Sequence, residues 1–277
     1  EEWIGEFGDY GQESGQLMWP CGIAISNERA IYVTDEWNQK VLVFDMKGSF
    51  ISQWGTKGSG NGEFDSPSGI AFEQSGNLLI VDARNNRIQR FTSKGEYINA
   101  FGSHGTGAGE FNMPWGVAVN HLGEIYVSDW RNDRIQKFTS DGEFISAFGK
   151  SGYGEGEFNR PSSVVVDSNG NIIVADWGNE RIQILNPDGS FKMFLQGEAT
   201  LSKWALEWLN VNLDEYDARK KSDLYIKQLP PHLSTPYHVG SQTEHLFYGP
   251  VSVKLDSEER LYITEHSRAR VQVYEQS

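Results

Sequence analysis

A single cysteine, Cys21, stands among the 277 residues, so no internal disulfide can staple the fold and the disulfide-rich secreted scaffolds are excluded. Long apolar runs are missing too, and nothing approaches the roughly 18 residues that a membrane-spanning helix needs. Positive charge is in deficit: 24 Lys and Arg face 38 Asp and Glu, for a net charge of −14. Nucleic-acid binding draws its affinity from basic side chains that neutralise phosphates, so that class of partner is disfavoured. The sequence contains no phosphate-binding Walker loop, no G-x-S-x-G and no H-E-x-x-H. It begins at Glu1 without Met and without a basic, then apolar, leader. A trimmed or processed chain is expected, soluble, with cytoplasmic and secreted settings both open.

What is abundant is glycine, 30 residues against the ~7% usual for soluble proteins. Aromatics are abundant as well, with 9 Trp, 11 Tyr and 15 Phe. That much surface to bury excludes a disordered chain.

These residues recur with a fixed pitch. PCGIAIS begins at Pro20, PSGIAFE at Pro67, PWGVAVN at Pro114 and PSSVVVD at Pro161, each 47 residues after the last. Fifteen residues past each proline comes an acid: Asp35 in DEWNQK, Asp82 in DARNNR, Asp129 in DWRNDR and Asp176 in DWGNER. A fifth copy, PVSVKLD from Pro250 with Glu265 in EHSRAR, follows 89 residues after the fourth. Within a unit the apolar signals are short and alternate. Residues 69–72, 77–81, 87–91 and 97–101 are separated by Ser75-Gly76 and Lys94-Gly95 turns, where glycine supplies the positive φ that tight hairpins need. Four short antiparallel strands repeated radially make an all-β fold, a β-propeller in a single domain spanning 1–277.

The combined pattern, P-x-G-[IV]-A-[VF] followed by the acid, an Asn, a basic residue and a closing F/W-G, resembles the NHL repeat family. The likeness covers nearly the whole chain apart from the stretch between Gly197 and about Gly240. It implies a propeller of four-stranded blades, five recognisable here and six the family expectation. Trp3–Gly8 reads as an outermost strand like Phe50–Gly55. It could close a five-bladed ring, or be the remnant of a sixth blade upstream.

About 41 residues are inserted before the fifth blade, relative to the previous unit. Within 198–240, Leu201, Trp204, Ala205, Trp208, Leu209, Leu213 and Tyr216 fall on one helical face. Arg219-Lys220-Lys221 suits a helix C-terminus. A helical insertion is expected to pack its Trp stripe on one rim of the propeller, or to act as a lid over the central pocket.

The five copies allow scaffold to be separated from site. A residue type shared by every blade serves the blade, and one that varies is free to serve a ligand. The acid set and the bases five residues on (Lys40, Arg87, Arg134, Arg181, Arg270) are therefore expected to pair structurally. Asn38, Asn85, Asn132 and Asn179 should hold the turn. The varying positions gather Trp37, Trp130, Trp177, Arg84, Arg131, Trp115 and His266 on one loop face. Arg84 and Arg131 occupy equivalent places on adjacent blades, so two guanidiniums beside indoles could clamp a carboxylate or phosphate attached to an aromatic or apolar group. The plain alternative is solvated arginines and tryptophans that merely cover the rim.

His104, His238, His245 and His266 are the histidines placed on that face. NHL propellers are similar to the peptidyl-amidating lyases, whose catalytic metal is held by histidines from different blades. By that resemblance these four are candidate ligands for a catalytic zinc, provided three imidazoles converge; calcium is the other cofactor left open. Cys21 has no base beside it in sequence and reads as a small buried residue. The expected function is recognition of a small anionic or aromatic ligand, a peptide or a protein. The alternative is a metal-dependent lyase or hydrolase with its site in the axial pocket.

Overall fold

The computed structural model describes residues 6–198, 203–221 and 229–275. Five antiparallel sheets follow one another with the strands of each in chain order. Blade one comprises Pro20–Ile25, Ala30–Asp35, Lys40–Asp45 and Phe50–Trp54; blade two comprises Pro67–Phe72, Leu78–Asp82, Arg87–Phe91 and Tyr97–Phe101. Blade three runs from Pro114–Val119 to Phe144–Phe148, and blade four from Pro161–Val166 to Phe191–Leu195. The fifth has three described strands, Pro250–Leu255, Leu261–Glu265 and Arg270–Tyr274.

Burial explains the strand sequences. Leu78–Asp82 and its counterparts Ile125–Asp129 and Ile172–Asp176 are buried at every residue. Both faces of these second strands meet neighbouring blades, so they read as continuous apolar runs rather than alternating ones. The outermost strands are largely exposed. The core consequently lies between blades. Tyr32, Val41 and Val43 of blade one pack with Ile70, Leu78 and Ile80 of blade two, and the other blade pairs repeat this.

The glycine of P-x-G answers to crowding at the axis. A Cβ on Gly69 would stand 2.7 Å from the Trp115 carbonyl oxygen, and one on Gly116 2.8 Å from that of Ser162. Blade four carries Ser163 instead, and its hydroxyl bonds across to the backbone of Val253. The last aromatic of each outer strand packs over the turn glycine of the next blade: Trp54 on Gly95, Phe101 on Gly142, Phe148 on Gly189. Phe7 does the same to Gly48, and its ring lies 5.0 Å from that of Phe44. Residues 6–19 thus take the place of a blade-to-blade connection, including a parallel bridge between Tyr10 and Leu17. Trp3–Gly5 of the expected outer strand lie outside the described residues.

Among the described residues the ring of blades has an open sector. Ile23 is 49% exposed, whereas its counterparts Ile70, Val117, Val164 and Val253 are at 3% or less. On the last blade Val271 and Val273 are half exposed, whereas Val41 and Val43 are buried. Among the described residues no blade covers these two faces, and no strand pairs with the outer edge of Arg270–Tyr274. Closure of a five-bladed ring by the N-terminal strand is therefore not what the described residues show.

The insertion is helical but not as one helix. It forms α1 (Lys203–Val211), α2 (Leu213–Lys221) and α3 (Pro236–Gln242). The expected single face is broken at Asn212: Leu209 is buried, but Trp208, Val211 and Leu213 are exposed. Leu201 and the Trp204 side chain lie outside the described residues. It is α3, with no Trp, that docks on the propeller, against the turn Trp177–Asn179 of blade four.

Candidate functional site

The repeated acids are scaffold. Asp129 is fully buried and accepts hydrogen bonds from the Asn112 N–H (2.8 Å), Asn132 Nδ2 (2.9 Å), Arg134 Nε (2.8 Å) and Gln136 Nε2 (3.1 Å). Asp82 and Asp176 repeat the set with Arg87 and Arg181. Each arginine then reaches carbonyl oxygens of the glycine-rich loop, as Arg134 does to Thr106, Gly107 and Glu110. Glu265 pairs with Arg270 in blade five. Blade one departs from the expected pairing. Asp35 takes the N–H groups of Met18, Trp19, Trp37 and Asn38, and no Lys40 ion pair forms among the described residues. The glutamines Gln89, Gln136 and Gln183 complete the network, and the sequence reading gave them no role.

A second repeated bond joins blade to blade. The left-handed residue ending each motif accepts the N–H of the residue before the next blade's proline: Gln39 from Ser66, Asn86 from Met113, Asp133 from Arg160 and Glu180 from Gly249. Only Glu180 is a buried acid here, beneath α3. Burial, with Glu265 nearby, raises its pKa to about 7 against an ordinary 4.5. The folded state therefore holds this proton more tightly than the unfolded chain does. The stabilising contribution is full below pH 4.5 and is lost as pH rises through about 7. Glu180→Gln keeps an acceptor for Gly249 and should melt higher than the parent above pH 7, the difference vanishing toward pH 4.5. Parallel melting curves for the two across that window would overturn this assignment.

The variable positions converge in part. Trp130 and Trp177 each open a 3-10 turn directly after the motif acid, and Trp115 follows the leading proline of blade three. Their rings form a row, with Trp115 and Trp130 centroids 6.3 Å apart and Trp130 and Trp177 likewise 6.3 Å apart. With His266, Ser162 and Val251 they line a cavity of about 290 Å³ spanning blades three to five. The Arg131 guanidinium lies 5.6 Å and that of Arg160 5.1 Å from the Trp130 ring centroid.

Trp37 is exposed on blade one and does not line this cavity. Arg84 points to Asp65 at 4.0 Å and does not line it either. The guanidiniums nearest the indoles are thus those of Arg131 and Arg160, which sit by Trp130 without lining the cavity themselves, not the expected pair Arg84 and Arg131. Arg160 precedes a leading proline, a position that also varies between blades (Trp19, Ser66, Met113 and Gly249 elsewhere), so the same rule applied one residue earlier would have found it. Among the described residues none of the insertion lines this cavity.

The histidines do not converge. His104 sits on the short strand Ser103–His104, and His238 in α3 has Nδ1 2.7 Å from Thr235 Oγ1. His245 lines a separate rim cavity and His266 the tryptophan cavity. Among the described residues no three His, Cys, Asp or Glu side chains gather as a zinc or calcium site requires. Cys21 is held as the thiol: burial and the adjacent Glu36 push its pKa up to about 12. No helix among the described residues is long and apolar enough to cross a membrane.

Comparison with known proteins agrees with this architecture. Residues 17–91 match a family described as a six-bladed β-propeller, and residues 111–138 and 158–185 match the NHL repeat. No curated protein sequence matches the chain. Virginiamycin B lyase from Staphylococcus aureus is similar in structure (TM-score 0.56, 14% identity, 95% of this chain and 71% of that one). So is a streptogramin B lyase (TM-score 0.57, 15% identity, 99% and 72% of the two chains). A chain of a nidogen/laminin complex is likewise similar (TM-score 0.60, 16% identity, 92% and 75%). At these identities the likeness is one of fold. Four blades on one 47-residue pitch, a fifth after the insertion, and the NHL repeat matched in blades three and four support an NHL-repeat β-propeller architecture.

Proposed function

We propose that this propeller is a recognition module. Its tryptophan cavity takes an aromatic or apolar group bearing an anionic substituent, on a small molecule or a peptide. The observation that carries this reading is the row of three indoles from two blades, closed by His266 from a third. Indole faces bury flat apolar groups, and the Arg131 and Arg160 guanidiniums, 5.6 and 5.1 Å from the centroid of the central ring though outside the cavity lining, place positive charge beside that ring. In a chain of net charge −14 such a local pair of arginines gives selectivity for anions. The volume lies at the small end of ligand sites.

The test is a titration of intrinsic tryptophan fluorescence with phenylacetate, phenethyl alcohol and phenethylamine. Phenylacetate should bind most tightly. Trp177→Ala should abolish the response, while Trp37→Ala, outside the cavity, leaves it intact. Equal binding of all three probes, or an unchanged Trp177→Ala titration, would sink the proposal.

A further inference from the structure

The inner strands line a second cavity. Their second residues (Trp115, Ser162, Val251) face the tryptophan cavity, whereas their fourth to sixth residues surround a space of about 530 Å³ on the axis. Its lining side chains are mostly apolar, with Ile25, Phe72, Val119, Val166 and Leu255 among them, alongside polar surface. The fifth position of the inner strand is Ala24, Ala71, Ala118 and Val165 in blades one to four, and Lys254 in blade five. Among the described residues Lys254 is the one charged residue lining the space.

Among the described residues Lys254 makes no ion pair, and the apolar surroundings alone lower its pKa. As a whole residue Lys254 is exposed, so solvent reaches its side chain. An ammonium held against apolar walls gains more from a counter-charge than one in open water does, because the local dielectric is lower. A small apolar residue would pack here as it does in four other blades, so lysine at this position has no packing rationale.

We propose that the axial cavity binds an amphiphilic monocarboxylate, with its chain along the inner-strand walls and its carboxylate on Lys254 Nζ. A single lysine matches a single negative charge, and a phosphate dianion would leave one charge uncompensated. The volume falls within the range of small-molecule sites. The site is independent of the tryptophan cavity.

The probe is carboxyl-labelled decanoate, followed by carbon NMR below its micellar concentration, with decanol as the neutral control. Decanoate should saturate at one per chain. Lys254→Met, which keeps the apolar stem, should weaken it about tenfold, equivalent to ~1.4 kcal/mol. Lys254→Arg should restore binding to within about threefold of the parent. Trp177→Ala should leave decanoate unaffected. Absence of saturable binding, decanol binding as tightly as decanoate, or an unchanged Lys254→Met titration would each overturn the proposal. So would loss of decanoate in Trp177→Ala, which would move the ligand to the other cavity.

Discussion

Replacing Asp129 with alanine should destabilise the protein by about 3–5 kcal/mol, since it breaks a buried ion pair by removing one partner. Four donors converge on that carboxylate, and one of them, Arg134, also anchors three carbonyl oxygens of the glycine-rich loop. Removing the acid leaves the guanidinium facing a desolvated hole and unties the loop as well. Asp133→Ala offers the control. Its carboxylate takes one N–H, from Arg160 at 2.7 Å, at the surface, so its loss should cost only about 1 kcal/mol. Urea midpoints of the two variants separate the cases. Were Asp129→Ala to unfold with the parent yet lose phenylacetate, the motif acid would be a site residue and not scaffold.

The second large effect concerns the open sector. Ile70→Asp should unfold the chain or cost more than about 4 kcal/mol, because the carboxylate would be buried between blades without a partner. Ile23→Asp, at the equivalent position of blade one, should change stability by less than about 0.5 kcal/mol. The two residues have the same place in the repeat and differ only in cover, at 2% and 49% exposure. Thermal melts of both variants decide the matter. Equal destabilisation would mean that the Ile23 face is covered in solution and the sector closed.

How much was legible follows from which residues repeat. The acid, the asparagine and the arginine recur in register because each bond they make lies within one blade or to its own loop, at fixed spacing. Reading them as scaffold needed only the 47-residue pitch. Gly69 and Gly116 were visible as a motif, yet their reason, a neighbouring carbonyl within 3 Å of a Cβ, belongs to the ring and not to the blade. Lys40 matched the basic position in type but not in contact, since Asp35 is satisfied by backbone N–H groups of residues 18, 19, 37 and 38. In the insertion, helical periodicity marked residues 201–216 as helix. The pattern carried no information on docking, and it is Pro236–Gln242 that meets blade four.

The sequence by itself determined the fold class, the blade count within the chain and the division of each loop into shared and variable positions. Local spacing encodes those properties, and five copies average out the noise of any one. Only the tertiary structure decided which variable residues meet. Trp115, Trp130, Trp177 and His266 share a cavity, whereas Trp37, Arg84 and the remaining histidines stand elsewhere. That selection depends on the rotation of each blade about the axis and on which sector lacks a neighbour. The same holds for Lys254, which the gathering of inner strands around the axis makes the lone charge, among the described residues, lining that cavity.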